Sequence, residues 1–127
     1  MKYLKLFEDV NTNGFEQINL SDFWTFIFGD IGKWENFTEK EEKELYQIVK
    51  KKYGRYDEKI NISKIINTIS KKIYLKISIY EDDIIIEIHK LQDEWYGVEI
   101  VTDGNYANHY SYKCDQWDGL INCINNI

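Results

Sequence analysis

Two histidines, two cysteines and five serines are the side chains in this sequence most able to do chemistry. His89 and His109, joined by Glu87 or Asp103, are the set from which an acid–base pair or a metal site would be assembled. Their spacing does not require either. Ser21, Ser63, Ser70, Ser78 and Ser111 have no base in sequence context, and the G-x-S-x-G, H-E-x-x-H, zinc-deaminase and phosphate-loop patterns are absent. Cys114 and Cys123 lack the C-x-x-C spacing of a metal site. In a reducing compartment such a pair reads as two small buried apolar groups. No catalytic residue, metal ligand or cofactor is therefore assigned, and a non-enzymatic protein is expected.

The run Asp9-Val10-Asn11-Thr12-Asn13-Gly14, with Ile18 beyond it, is similar to the opening of an EF-hand calcium loop. Ligand-type residues stand at its first, third and fifth positions and glycine at the sixth. Leu20 occupies the place of the bidentate glutamate, and Glu16 that of an apolar residue. Asp22 would serve only in a loop two residues longer. The other reading is an Asn-Gly turn that leads into a strand.

Aromatic residues make up 16% of the chain. Tyrosine and tryptophan suit protein interfaces because each joins a large apolar area to a polar tip. Tyr80, Trp95, Tyr110 and Tyr112, beside the acidic turn residues Asp82, Asp83, Asp93 and Glu94, are the expected partner-binding surface. The opposing expectation is that a helix covers these aromatics as a second layer of core.

The net charge of −6 hides a strong segregation. Residues 1–49 carry −5, residues 50–76 carry +7 and residues 77–127 carry −8. The middle segment offers a second candidate surface, for RNA or DNA, through Lys50, Lys51, Lys52, Arg55, Lys71 and Lys72 with tyrosines interleaved. Fifteen lysines against a single arginine, Arg55, count against it, because arginine supplies the planar fork that reads phosphate and guanine. Absent proline, one alanine and abundant isoleucine and asparagine suggest an AT-rich bacterial or phage genome.

These residues need a frame to position them, and 127 residues suffice for one domain, 1–127, with a real core. Phe15–Leu20 reads as a short extended piece. Ser21 is a candidate cap for an aromatic helix over Asp22–Phe28, which Gly29 ends. Thr38 and Glu41 form a capping box for the next helix, whose glutamates crowd its start and lysines its end. The spacing of Ile62, Ile65, Ile66, Ile69 and Ile73 predicts a third helix over Ser63–Lys72. The period then changes to two, giving strands over Ile73–Ile79, Ile84–Leu91 and Trp95–Thr102, with a fourth over His109–Lys113. Asp115 precedes a last helix with Trp117, Leu120, Ile121 and Ile124 on one side. The fold class expected is α+β: two or three N-terminal helices, a three- to four-stranded antiparallel meander and a C-terminal helix packed on the sheet.

Lys2-Tyr-Leu-Lys-Leu-Phe-Glu8, Trp95-Tyr96 and Tyr112-Lys-Cys-Asp-Gln-Trp-Asp-Gly-Leu-Ile121 resemble small uncharacterised proteins of phage and marine viral genomes. The resemblance implies no activity or site residue. It implies a phage setting, in which small acidic proteins block host machinery. The expectation is a binder that inhibits a host protein or nucleoprotein complex, such as an anti-defence or anti-CRISPR protein. The alternatives are nucleic-acid binding through residues 50–76 and an immunity protein that neutralises a toxin. No apolar run approaches the roughly 20 residues that cross a bilayer, and Met1–Val10 has no apolar signal core. A cytoplasmic protein without membrane contact is expected, in host cytoplasm if phage-encoded.

Overall fold

The computed structural model describes residues 13–30, 34–53, 60–66, 73–80, 83–102 and 109–126. The chain enters through strand β1 (Phe15–Ile18) and helix α1 (Leu20–Thr25), which widens into a π-helical turn over Phe26–Asp30. The two-residue strand β2 (Trp34–Glu35) and helix α2 (Glu39–Tyr53) follow. Five longer strands come next: β3 (Ile60–Ile66), β4 (Ile73–Ile79), β5 (Ile84–Leu91), β6 (Trp95–Thr102) and β7 (His109–Asp115). Helix α3 (Gln116–Asn126) ends the fold. It is an α+β protein, and no helix among the described residues is long and apolar enough to cross a membrane.

The strands form one antiparallel sheet in the order β1-β7-β6-β5-β4-β3, and β2 pairs the end of β5 beyond the β4 ladder. The expected meander of three or four strands is thus the centre of a seven-stranded sheet. The largest correction is β3. Its isoleucines were expected to make a helix over Ser63–Lys72, yet Ile60–Ile66 is a strand along β4, pairing Ile62 with Ile77 and Lys64 with Leu75. Isoleucine is stiff at χ1 and packs better on a pleated surface than on a helix. Beside β4 it finds a ladder partner that local spacing cannot reveal. Residues 67–72 lie outside the described residues.

One face of the sheet carries the apolar rows Ile77–Ile86–Ile100 and Leu75–Ile88–Val98 across neighbouring strands. Helices α2 and α3 cover these rows with Leu45, Val49, Leu120, Cys123 and Ile124, all fully buried. Burying each such aliphatic side chain is worth about 1.5–3 kcal/mol. Cys114 and Cys123 are both buried free thiols, and burial pushes the Cys114 thiol well above its usual range.

The helix ends follow their local chemistry. Thr38 Oγ1 accepts from the Glu41 N–H at 3.1 Å, and Glu41 Oε1 accepts from the Thr38 N–H at 2.8 Å. For α1 the cap is Asn19 rather than Ser21, because the chain leaves β1 at Ile18 and turns at once. Asn19 Oδ1 accepts from the Asp22 N–H at 2.8 Å. The C-terminal end of α3 receives Lys52, whose Nζ donates to the Asn125 carbonyl at 2.9 Å, a favourable placement for a cation.

At the other edge the carbonyl of Gly14, a residue at φ +84°, accepts from the Asp115 N–H at 2.8 Å, and Gly14 rests on the first turn of α3. Asp9–Thr12 of the calcium-type run lie outside the described residues. A Cβ on Gly119 would overlap the Gly14 carbonyl. Backbone cannot yield there as a flexible side chain would. Gly119→Ala is accordingly expected to lower stability by about 1–3 kcal/mol, read as a lower urea midpoint with an unchanged slope.

Candidate functional site

The second face of the sheet holds the candidate site, and α1 with its π turn covers one end of it. Phe23 and Ile27 rest directly on Gly97, where a Cβ would come within 2.8 Å of Ile27 Cγ2 and 3.0 Å of the Phe23 ring. Phe26 meets Trp95 edge-on at 5.7 Å, and Lys113 Nζ lies over both rings at 5.2 and 5.3 Å. Trp34 Nε1 donates to the Ile27 carbonyl at 2.7 Å and so ties β2 to the π turn.

Phe23, Phe26 and Ile27 use the inner side of this segment. Its outer side is apolar too: Leu20, Trp24 and Phe28 are 43%, 41% and 40% exposed. Trp24 stacks on Phe28 at 5.4 Å, and Phe28 packs on Trp34 at 5.3 Å, so the rings form one ridge. A helix apolar on most of its circumference is normally enclosed by protein. This one lies on the surface. At the Leu20 end the ridge meets a groove of about 320 Å³ whose lining includes Gln17, Asn19, His109 and Ser111, whereas the exposed Tyr110 side chain, in register with Ile100, belongs to the helix-covered face.

Beside α1, on the same face, the sheet carries a buried polar ladder. His109 Nε2 and Glu99 Oε2 are hydrogen-bonded at 2.8 Å. His89 Nε2 lies 3.5 Å from Glu99 Oε1, close enough for an ion pair if His89 is protonated, but among the described residues neither His89 ring nitrogen has a hydrogen-bond partner. The His89 ring sits instead among Trp34, Tyr74 and Phe23, at 4.7, 5.1 and 5.7 Å. Glu87 pairs with Glu99 in register. Burial, and then the Glu99 charge, push the Glu87 carboxyl above its ordinary 4.5 against the pull of His89, Lys76 and Tyr74. Burial, followed by Glu87, likewise raises the Tyr74 hydroxyl.

Both histidines therefore meet a carboxylate, which their sequence spacing did not indicate. The side chains of His89, Glu99 and His109 are only 4%, 5% and 11% exposed. His89 and Glu99 are enclosed while His109 also lines the groove at the Leu20 end, so the ladder links β5, β6 and β7 beneath that groove. Among the described residues no group of three or more histidine, cysteine or acidic side chains is arranged to hold a metal.

The expected partner surface is divided by the fold. Tyr80 and Asp83 stand at the β4–β5 turn, whereas Asp93 and Glu94 form the β5–β6 turn at the other end of β5. Eight strand residues separate them, roughly 26 Å. Asp82 lies outside the described residues. Trp95 is buried beneath Phe26, and Tyr112 packs edge-on against Phe15 within the core at 6.2 Å. Only Tyr80 and Tyr110 of the four expected aromatics are exposed. Asp93 and Glu94 hold positive φ values of 59° and 61°, so their first task is the tight turn.

The basic segment is dispersed as well. Lys50 and Lys51 are exposed at the end of α2, and Lys52 is engaged with α3. Lys64 reaches Glu42 on the helix-covered face at 3.1 Å, while Lys76 pairs with Glu87 in register on the opposite face. Arg55, Lys71 and Lys72 lie outside the described residues. No protein-family model, curated protein or solved structure matches the chain.

Sequence reasoning missed Leu20, Trp24 and Phe28 as surface residues, Trp34 as the ring that ends their ridge, and Glu99 as the hub of the ladder. One signal was present. Leu20, Trp24 and Phe28 recur every fourth residue beside Phe23 and Ile27, a stripe too wide for one buried side.

The raised Glu87 carboxyl has a definite sign. The folded chain holds this proton more tightly than the unfolded chain, so Glu87 contributes stability below pH 4.5 that is lost as pH rises through its higher folded value. Glu87→Gln, which keeps an acceptor for the Tyr74 hydroxyl, is expected to unfold at higher urea than the parent at pH 7. The advantage should vanish below pH 4.5, as read from urea midpoints across a pH series.

Proposed function

We propose that this chain is a non-enzymatic binding protein that docks a partner protein on the ridge Leu20–Trp24–Phe28 and the groove beside His109. The observation that carries this reading is the stacked, exposed aromatic side of a segment whose other side is already buried. A contiguous apolar patch rimmed by polar groups is what an interaction site looks like on an otherwise soluble surface. Trp and Tyr anchors carry much of the energy at such sites. Asp22 lies on α1 between Leu20 and Trp24 in a chain of net charge −6, which favours a basic partner.

The resemblance of the chain's ends to phage proteins supports a bacterial host factor as that partner, inhibited by occlusion. This docking surface on α1 replaces the one expected at the hairpin turns and contains none of its residues. The division of the lysines between two faces weakens the nucleic-acid alternative.

A tagged full chain and its Trp24→Ala/Phe28→Ala variant, exposed to nuclease-treated bacterial lysate, test the proposal. The parent is expected to retain a stoichiometric protein that the variant loses, with affinity for the purified partner reduced at least about tenfold. The variant should keep the parent's circular dichroism. Equal retention by both would overturn the ridge as the docking site, and recovery of nucleic acid alone before nuclease treatment would overturn protein binding.

A further inference from the structure

The sheet ends on an edge that nothing among the described residues covers. Strand β3 pairs β4 on one side, and no described strand pairs its other side. Its sequence, Ile60-Asn-Ile-Ser-Lys-Ile-Ile66, has four isoleucines, one charge and neither proline nor glycine. Proteins usually blunt such an edge with proline, a bulge or inward charge, because a row of unmatched N–H and C=O groups recruits another strand. The single charge here, Lys64, is drawn onto α2 by Glu42 at 3.1 Å. Ile66, at the end of the strand, is 58% exposed, the most exposed large apolar side chain among the described residues.

We infer that a second copy of this chain pairs on β3, making a two-fold dimer with one continuous sheet. An isologous antiparallel pair needs its axis perpendicular to the sheet, so both copies present the same face to the same side. Full overlap of the seven residues centres that axis on Ser63. Ile66 then stands opposite Ile60 of the second copy and loses its exposure, and Ile65 stands opposite Asn61.

Charge and space agree with this register. Lys64 of one copy stands opposite Ile62 of the other. Ile62 lines a groove of about 310 Å³ between α2 and β3, whose walls are Glu39, Glu42, Lys43, Tyr46 and Gln47. Each copy thus seats its own Lys64–Glu42 pair beside the groove of the other, where the lysine stem covers Ile62. Closed two-fold pairing consumes both β3 edges and stops at two. The docking ridge on α1 belongs to the β1–β7 side of the sheet, so this contact is independent of the function proposed above.

The test uses the full chain in sedimentation equilibrium over a concentration series, with two variants. Ile66→Lys changes an exposed side chain that the folded monomer tolerates, and it places a charge against Ile60 of the second copy. Ser63→Cys brings two thiols together at the axis, where antiparallel Cα separations of about 4.5–5.5 Å fit a disulfide. The native Cys114 and Cys123 are fully buried and will not compete.

The parent is expected to dimerise, Ile66→Lys to raise the dissociation constant at least about tenfold, and Ser63→Cys to form a covalent dimer under mild oxidation. Trp24→Ala/Phe28→Ala should dimerise like the parent. A single-chain mass at every concentration would overturn the inference. So would a dimer that Ile66→Lys leaves intact, or one that Ser63→Cys fails to cross-link.

Discussion

The two central strands, β5 and β6, cannot be solvated on either side. Residues Trp95 to Ile100 of β6 are buried without interruption, and Ile86, Ile88, His89 and Leu91 of β5 lie beside them. A strand buried on both faces requires a cover on both faces. On one side the requirement is met by two amphipathic helices with ordinary apolar stripes. On the other, among the described residues, it is met by α1 and its π turn with Trp34 beside them, and the absence of a side chain at Gly97 lets Phe23 and Ile27 settle against the strand. The placement of the aromatic ridge follows from that seat. Once Phe23, Phe26 and Ile27 face inward, helical geometry turns Leu20, Trp24 and Phe28 outward.

The same enclosure explains why the polar ladder is arranged as it is. Two glutamates in register on neighbouring strands repel, and burial penalises their charges further. Glu99 has both histidines at close range, at 2.8 and 3.5 Å. Glu87 has weaker compensation, from Lys76, His89 and the Tyr74 hydroxyl, and its carboxyl is the one displaced upward. His89 gives up hydrogen bonds for aromatic packing. Such a network adds positional definition to β5, β6 and β7 more than it adds stability, because desolvation cancels much of the attraction.

Charge along the chain and charge in space are different quantities here. The positive middle segment spans the end of a helix, an edge strand and the inner strand β4, and successive strand residues point to opposite faces. Its lysines are consequently shared between both faces, several with glutamates from the acidic thirds: Lys64 with Glu42, Lys76 with Glu87. Lys90 adds a further link, at 2.8 Å from Glu41, and with Thr38 it overcomes the burial that would raise that carboxyl. Among the described residues, part of the charge segregated in sequence thus links neighbouring elements.

The local signals carried well into the fold. The capping box of Thr38 and Glu41, the alternation through Ile73–Thr102 and the stripe of α3 are each set by neighbours within a few residues, and each appears where its pattern predicts. The isoleucines of 60–66 show the limit: spacing compatible with a helix became a strand because β4 offered a partner remote from any local pattern. The site was less legible than the fold. Exposed aromatics could be counted, but whether Trp95 or Trp24 faced solvent depended on which one α1 covered. The two acidic turns look adjacent along the chain, yet an eight-residue strand holds them at opposite ends of the sheet. The histidines met at Glu99 through strand register alone. Sequence determined composition, helix caps and strand period, which are short-range matters of sterics and hydrogen bonding. Tertiary structure decided which faces were covered, because burial belongs to the assembled sheet and to no single segment of the chain.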